Sequence, residues 1–252
     1  MSDQYQFSAN TGFLWPDRPF IDRVRAAAAA GFDAVEFHDE AQSADTAELV
    51  DVLSSARLPV LGLNVRMGAT AGCAAIPERV DEARRDIDQA IAVADRVGAR
   101  GVHVLAGKTD APGAEAAYIA TLRYALSVSD LTILIEPICR QAMPDYFLGR
   151  LDQAQRILGE IDHPRLKLLF DCYHVQTEHG DVVARLKQCV DDVGHIQIAS
   201  VPGRNEPELG PVAELDYATV LAAFRDAGYA GMFGCEYRPT DAGLRWRNEL
   251  RE

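Results

Sequence analysis

Short apolar runs rich in Val, Ile and Leu alternate with longer segments of helical period along the whole 252-residue chain, and this alternation is the strongest constraint on its fold. The runs at 6–9, 34–38, 60–65, 101–105, 132–136, 167–171, 195–199 and 232–236 read as eight strands. Between them lie "RVRAAAAAGF", "TAELVDVLSSAR", "ERVDEARRDIDQAIAVADRVGA", "EAAYIATLRYALSV", "LDQAQRILGEI", "DVVARLKQCVDDV" and "YATVLAAFRDAGY", each with apolar residues at helical spacing. Gly31, Gly98, Gly194 and Gly228 stand where left-handed caps would end the helices. Near-continuous apolar strands imply a parallel sheet covered by helices, and eight repeats predict closure into a (β/α)8 TIM barrel, one domain over 1–252. The other arrangement, an open doubly wound sheet, would carry a glycine-rich phosphate turn after its first strand, and "FSANTGFLWP" has none.

Composition narrows the function classes. With 48% hydrophobic and 25% charged residues the chain can bury a sizeable core. A formal net charge of -13 makes a nucleic-acid backbone a poor partner, so a small-molecule substrate is expected, with no nucleic acid and no membrane. The first twenty residues lack the basic start and apolar core of a secretory leader, and no apolar run approaches the roughly 18 residues of a membrane span. Five cysteines, widely spaced and without a CxxC pair, fit reduced thiols in a cytoplasm.

Polar residues then fall at one end of consecutive strands. "TILIEP" ends on Glu136, "KLLFD" on Asp171, "HIQIA" carries Gln197 and "MFGCEY" carries Glu236. In a closed barrel the carboxyl ends of neighbouring strands share one mouth. Three carboxylates and an amide oxygen gathered there would repel one another without a cation, and an all-oxygen set suits a hard divalent ion, Mg2+ or Mn2+. Two long loops, 67–77 and 201–217, also follow strands and so belong to this face. Arg204 in the second loop is the best cationic clamp for an anionic substrate, with Arg66 and Lys108 as weaker candidates. His195 should face the interior with Gln197, and Phe13 and Trp15 could wall the pocket. Cys172 and Cys235 should point the opposite way from Asp171 and Glu236, towards the helices.

These segments resemble the hydroxypyruvate isomerase family, part of the xylose-isomerase-like barrels that also include 2-oxo-tetronate isomerases and ketose 3-epimerases. The resemblance spans nearly the whole chain and is carried most specifically by "IEPI" followed by "MPDYFL", by "FDCYH", by "HIQIA" with "VPGR", and by "GCEY". It implies that Glu136 and Glu236 are the catalytic acid/base pair and that Glu136, Asp171, Gln197 and Glu236 form the metal shell. It also implies that His174 and Arg204 touch substrate. Two mouth segments depart from the family pattern: Ser200 follows "HIQIA" where relatives tend to carry an acid, and "EFHDE" replaces an aromatic and proline-containing stretch.

The implied reaction interconverts hydroxypyruvate and tartronate semialdehyde through an enediolate, with the divalent ion stabilising the developing charge and the two glutamates moving the proton. Which glutamate is base and which is acid stays open at this point. The alternatives are a 2-oxo-tetronate isomerase or ketose 3-epimerase on the same barrel, or a non-catalytic sugar or keto-acid binding barrel. A homodimer or homotetramer is expected.

Overall fold

The computed structural model describes residues 5–240 and 243–251, so Met1–Gln4 at the start of the segment read above as lacking a leader lie outside the described residues. Eight parallel strands close into a barrel in strict sequence order: β1 Phe7–Asn10, β2 Ala34–Phe37, β3 Val60–Asn64, β4 Gly101–His103, β5 Thr132–Ile135, β6 Leu166–Asp171, β7 Val193–Ile198 and β8 Phe233–Cys235. Each expected strand is present, with ends moved by a residue or two. Outside the barrel run α1 Phe20–Ala29, α2 Thr46–Ala56, α3 Val80–Val97, α4 Ala114–Val128, α5 Leu151–Ile161, α6 Cys172–His179, α7 Val182–Cys189, α8 Tyr217–Asp226 and α9 Arg245–Arg251.

The local reasons are plain in the sequence. In α3 the apolar face Ala83, Ile87, Ala90, Ile91 and Ala94 is buried, and Gly98 closes the helix at φ 65°, a conformation costly for other residues. Asp45, Asp171, Asp181 and Asp216 each accept backbone N–H bonds at helix starts. Phe7, Phe170, Phe224 and Phe233 pack as one buried aromatic cluster between the strands and α8, with Phe7 and Phe233 coming from adjacent strands.

Gly194 departs from its expected role. It lies inside β7, where a Cβ would sit 2.7 Å from the Lys167 Cβ and 2.8 Å from Leu134, so strand crowding rather than a helix end requires glycine. All five cysteines are free and buried. No helix among the described residues is long and apolar enough to cross a membrane.

Candidate active site

The carboxyl ends of the strands bring the four expected residues to one mouth. Glu136 and Glu236 each stand one residue past their strands, Asp171 is the last residue of β6, and Gln197 on β7 is in register with it. All four are buried. Asp171 also explains how His174 arrives. Its Oδ1 accepts the Tyr173 N–H at 2.8 Å, so β6 turns straight into α6 and residue 174 comes round one turn later on the same side. His174 Nε2 lies 3.6 Å from Asp171 and 3.7 Å from Glu136, and its Nδ1 meets the Cys139 thiol at 3.2 Å.

Arg204 is the cation of this mouth. Its Nη2 donates to Asp171 Oδ2 at 2.8 Å and to Glu236 Oε2, and its guanidinium lies over the rings of Phe13, 4.8 Å away, and Tyr173, 5.0 Å away. Two aromatic faces against the guanidinium restrict its plane while leaving its edge to anions. Arg66 is not brought here: its side chain is 60% exposed and pairs with Asp86 at 3.4 Å, lining a separate surface cleft with Asp39 and Gln42. Lys108 is exposed and lies outside the pocket lining. Trp15 packs on Phe32 instead of the pocket, whereas Phe13 lines it.

Residues from the other half of the barrel complete the site, and these the sequence reading missed. Glu236 Oε1 receives Asn10 Nδ2 at 3.0 Å and faces His38 Nε2 at 3.1 Å. His103 Nδ1 bonds Asn64 Oδ1 at 3.1 Å and stands 3.7 Å from Glu136. Beneath them Glu36 on β2 binds Ser8, Asn10, His195 and Gln197. The signal was available: Asn10, Asn64 and His103 are terminal strand residues, and Glu36 is a charge inside the apolar run "AVEF". His195 does face the interior as expected, 2.6 Å from Glu36.

Electrostatics divide the acids. Burial, then repulsion from Glu236 and Asp171, pushes the Glu136 carboxyl well above the ordinary range. Burial raises Asp171 to about 7 against the pull of Arg204. Glu236 is equally buried, yet the Arg204 guanidinium and the His38 bond overcome that cost and hold it down to about 2. His174 is driven well below the usual imidazole range by burial and by Arg204, and His103 is lowered to about 4 by burial. One guanidinium thus compensates only part of the acid cluster.

Two observations favour a cation as the missing counter-charge. Glu136 Oε1 and Gln197 Oε1 are buried without a hydrogen-bond partner among the described residues. Ligand atoms of Glu136, Asp171 and His174 lie within 4.8 Å of one another. The pocket above them, about 150 Å³ and lined by Phe13, His38, Leu105, Glu136, His174 and Glu236 among others, fits a molecule of few heavy atoms.

A family model described as "Xylose isomerase-like TIM barrel" matches residues 24–251. The 2-oxo-tetronate isomerase of Cupriavidus necator is 40% identical over 96% of this chain and 96% of its own length. The hydroxypyruvate isomerase of Escherichia coli is 35% identical over 98% and 99%. A solved structure from Brucella melitensis, described as an AP endonuclease of family 2, superposes with a TM-score of 0.91 at 31% identity, covering 98% of this chain and 100% of that one.

Proposed function

The chain belongs to the xylose isomerase-like TIM barrel family, and from that premise we propose that it is a keto-acid isomerase acting on hydroxypyruvate. The observation that carries this reading is the placement of the pair: Glu136 and Glu236, both buried, line one small pocket, and burial with the neighbouring acids raises the first carboxyl while Arg204 and His38 lower the second. A proton donor and a proton acceptor facing each other over a three-carbon chain are what a 1,2-shift needs. A binding protein would have no use for that difference.

In the reaction proposed, Glu236 takes a proton from C3 of hydroxypyruvate and Glu136 returns one to C2, while the C3 hydroxyl proton is lost and the C2 oxygen gains one, giving tartronate semialdehyde. Glu136, Asp171, Gln197 and Glu236 would hold Mg2+ or Mn2+, with His174 at their side, and the bound ion would stabilise the negative charge that develops on the two substrate oxygens. Arg204 orients the substrate carboxylate through its fork. His174, kept neutral by burial, directs Nε2 at the reacting end, and Phe13 excludes water.

A second reading, a four-carbon 2-oxo-tetronate as substrate, is favoured by the 40% identity to the C. necator relative. One experiment separates the two: proton NMR of hydroxypyruvate and of 2-oxo-tetronate with the purified protein in D2O, with Mg2+ and after chelation. Metal-dependent loss of hydroxypyruvate with formation of tartronate semialdehyde supports the first. Turnover of the tetronate alone transfers the assignment to the second, and no turnover of either overturns the isomerase reading.

A further inference from the structure

Glu36 is a buried carboxylate that does not line the pocket, and neither proton transfer nor substrate contact accounts for it. Donors surround it. Ser8 Oγ at 2.8 Å and His195 Nε2 at 2.6 Å meet Oε2, while Gln197 Nε2 at 2.8 Å and Asn10 Nδ2 at 3.1 Å meet Oε1. The barrel also leaves space for it. Gly234 on β8 is in register with both Ser8 and Gln197, and a Cβ there would stand 2.5 Å and 2.7 Å from the two Glu36 oxygens and 2.7 Å from His195 Nε2.

A carboxylate accepting four hydrogen bonds dictates how its partners are turned. A side-chain amide has one donating and one accepting end, so the nitrogen of Gln197 must face Glu36 and its oxygen must face away. That oxygen is buried and without a partner among the described residues, as the oxygen of an amide prepared for a cation should be. The same logic orders Asn10, whose Nδ2 spans Glu36 and Glu236 while its Oδ1 accepts the Gly12 N–H at 3.0 Å. Turned over, the Gln197 amide would set oxygen against oxygen at Glu36 and present N–H groups where a ligand is needed.

We propose that Glu36 is a positioning residue for the cation site, fixing the Gln197 amide with its oxygen towards the strand-end acids, and that Gly234 is the gap in β8 that lets it do so. The inference rests on the reading of Gln197 as a metal ligand. It concerns a residue that never touches the metal or the substrate.

The test is Mn2+ binding to the full chain, followed by the EPR signal of free Mn2+, in the wild type, Glu36→Met, Gln197→Leu and the double variant, with circular dichroism and thermal melts to establish folding. Glu36→Met is expected to weaken Mn2+ roughly 10- to 100-fold, the usual effect of losing a residue that orients a ligand. Because Glu36 acts through Gln197, the double variant should bind no more weakly than Gln197→Leu alone. A residue that only supports the barrel would lower the melting temperature and leave the affinity of the folded protein unchanged. That result overturns the proposal, as do fully additive losses, which would mean that Glu36 acts through its charge alone. A wild type that binds no Mn2+ overturns the metal reading itself, and the proposal with it. If Glu36→Met does not fold, Gly234→Ala takes its place in the same cycle, since the added methyl displaces the carboxylate without removing it.

Discussion

The two halves of the barrel bring different chemistry to one mouth. Strands β5 to β8 deliver Glu136, Asp171, Gln197 and Glu236, the groups that carry charge or offer oxygen. Strands β1 to β4 deliver Asn10, His38, Asn64 and His103, amides and imidazoles: Asn10 and His38 bond Glu236, His103 stands 3.7 Å from Glu136, and Asn64 bonds His103. The contrast shows how a buried acid cluster is managed. An isolated carboxylate in such a place is costly: Arg204, with the bond from His38, holds Glu236 down, whereas burial and repulsion from Glu236 and Asp171 raise Glu136, whose Oε1 has no hydrogen-bond donor among the described residues.

The sharpest way to break this division is to neutralise one acid at a time. Glu136→Gln and Glu236→Gln should each lower kcat about 10²- to 10⁴-fold, the range for a lost acid or base, in the NMR turnover assay. Wild-type turnover in either variant would end the assignment. The next largest effect concerns the other half. His103 has its pKa at about 4 in the folded protein and at the ordinary 6.5 when unfolded. As pH falls from 6.5 towards 4 the unfolded chain takes up a proton that the folded protein refuses, so this imidazole makes folding progressively less favourable, by up to roughly 3 kcal/mol. Urea melts across that window should show His103→Gln losing less stability than the wild type. Equal slopes would mean that His103 protonates freely in place.

Arg204→Lys is expected to have a smaller, differently shaped effect. A lysine keeps the charge but loses the planar fork and its contacts with the Phe13 and Tyr173 rings, so KM should rise about tenfold to a hundredfold with a lesser change in kcat. An unchanged KM would remove Arg204 from substrate binding. The smallest effect should come from the surface: Arg25, paired with Asp22 and Glu48 on exposed helix faces, should cost less than about 1 kcal/mol on mutation to Ala and leave turnover untouched.

These predictions lean unequally on what sequence alone could provide. All eight strands were legible because strands buried on both faces read as unbroken apolar runs. The acids of β5 to β8 were legible because each ends such a run with a charge. Asn10, Asn64 and His103 end runs too, but neutral polar residues at strand ends are ordinary, and only the closed ring reveals that Asn10 and His103 face carboxylates and that Asn64 holds His103. Glu36 was hidden for a different reason, since its partners lie up to 161 residues away and its charge looked like an irregularity within a short strand. The start of α6 was lost because "CYHV" continues the apolar pattern of β6 with no loop to separate them. Arg66 illustrates the reverse error: position after a strand does not bring a flexible, exposed side chain to the mouth.

The direct passage from β6 to α6 through Asp171 carries a last consequence. Between β7 and α8 the chain runs through a long loop that contains Arg204 and reaches back to Gln176 through Glu214 at 2.8 Å. Such a loop can be lengthened or re-sequenced without moving a strand. At Asp171 there is no loop to alter, because one oxygen starts a helix while the other faces the site. A substitution of Asp171 would therefore remove the cap of α6 and a carboxylate of the site in one step, whereas the neighbouring rim can change in its loop alone.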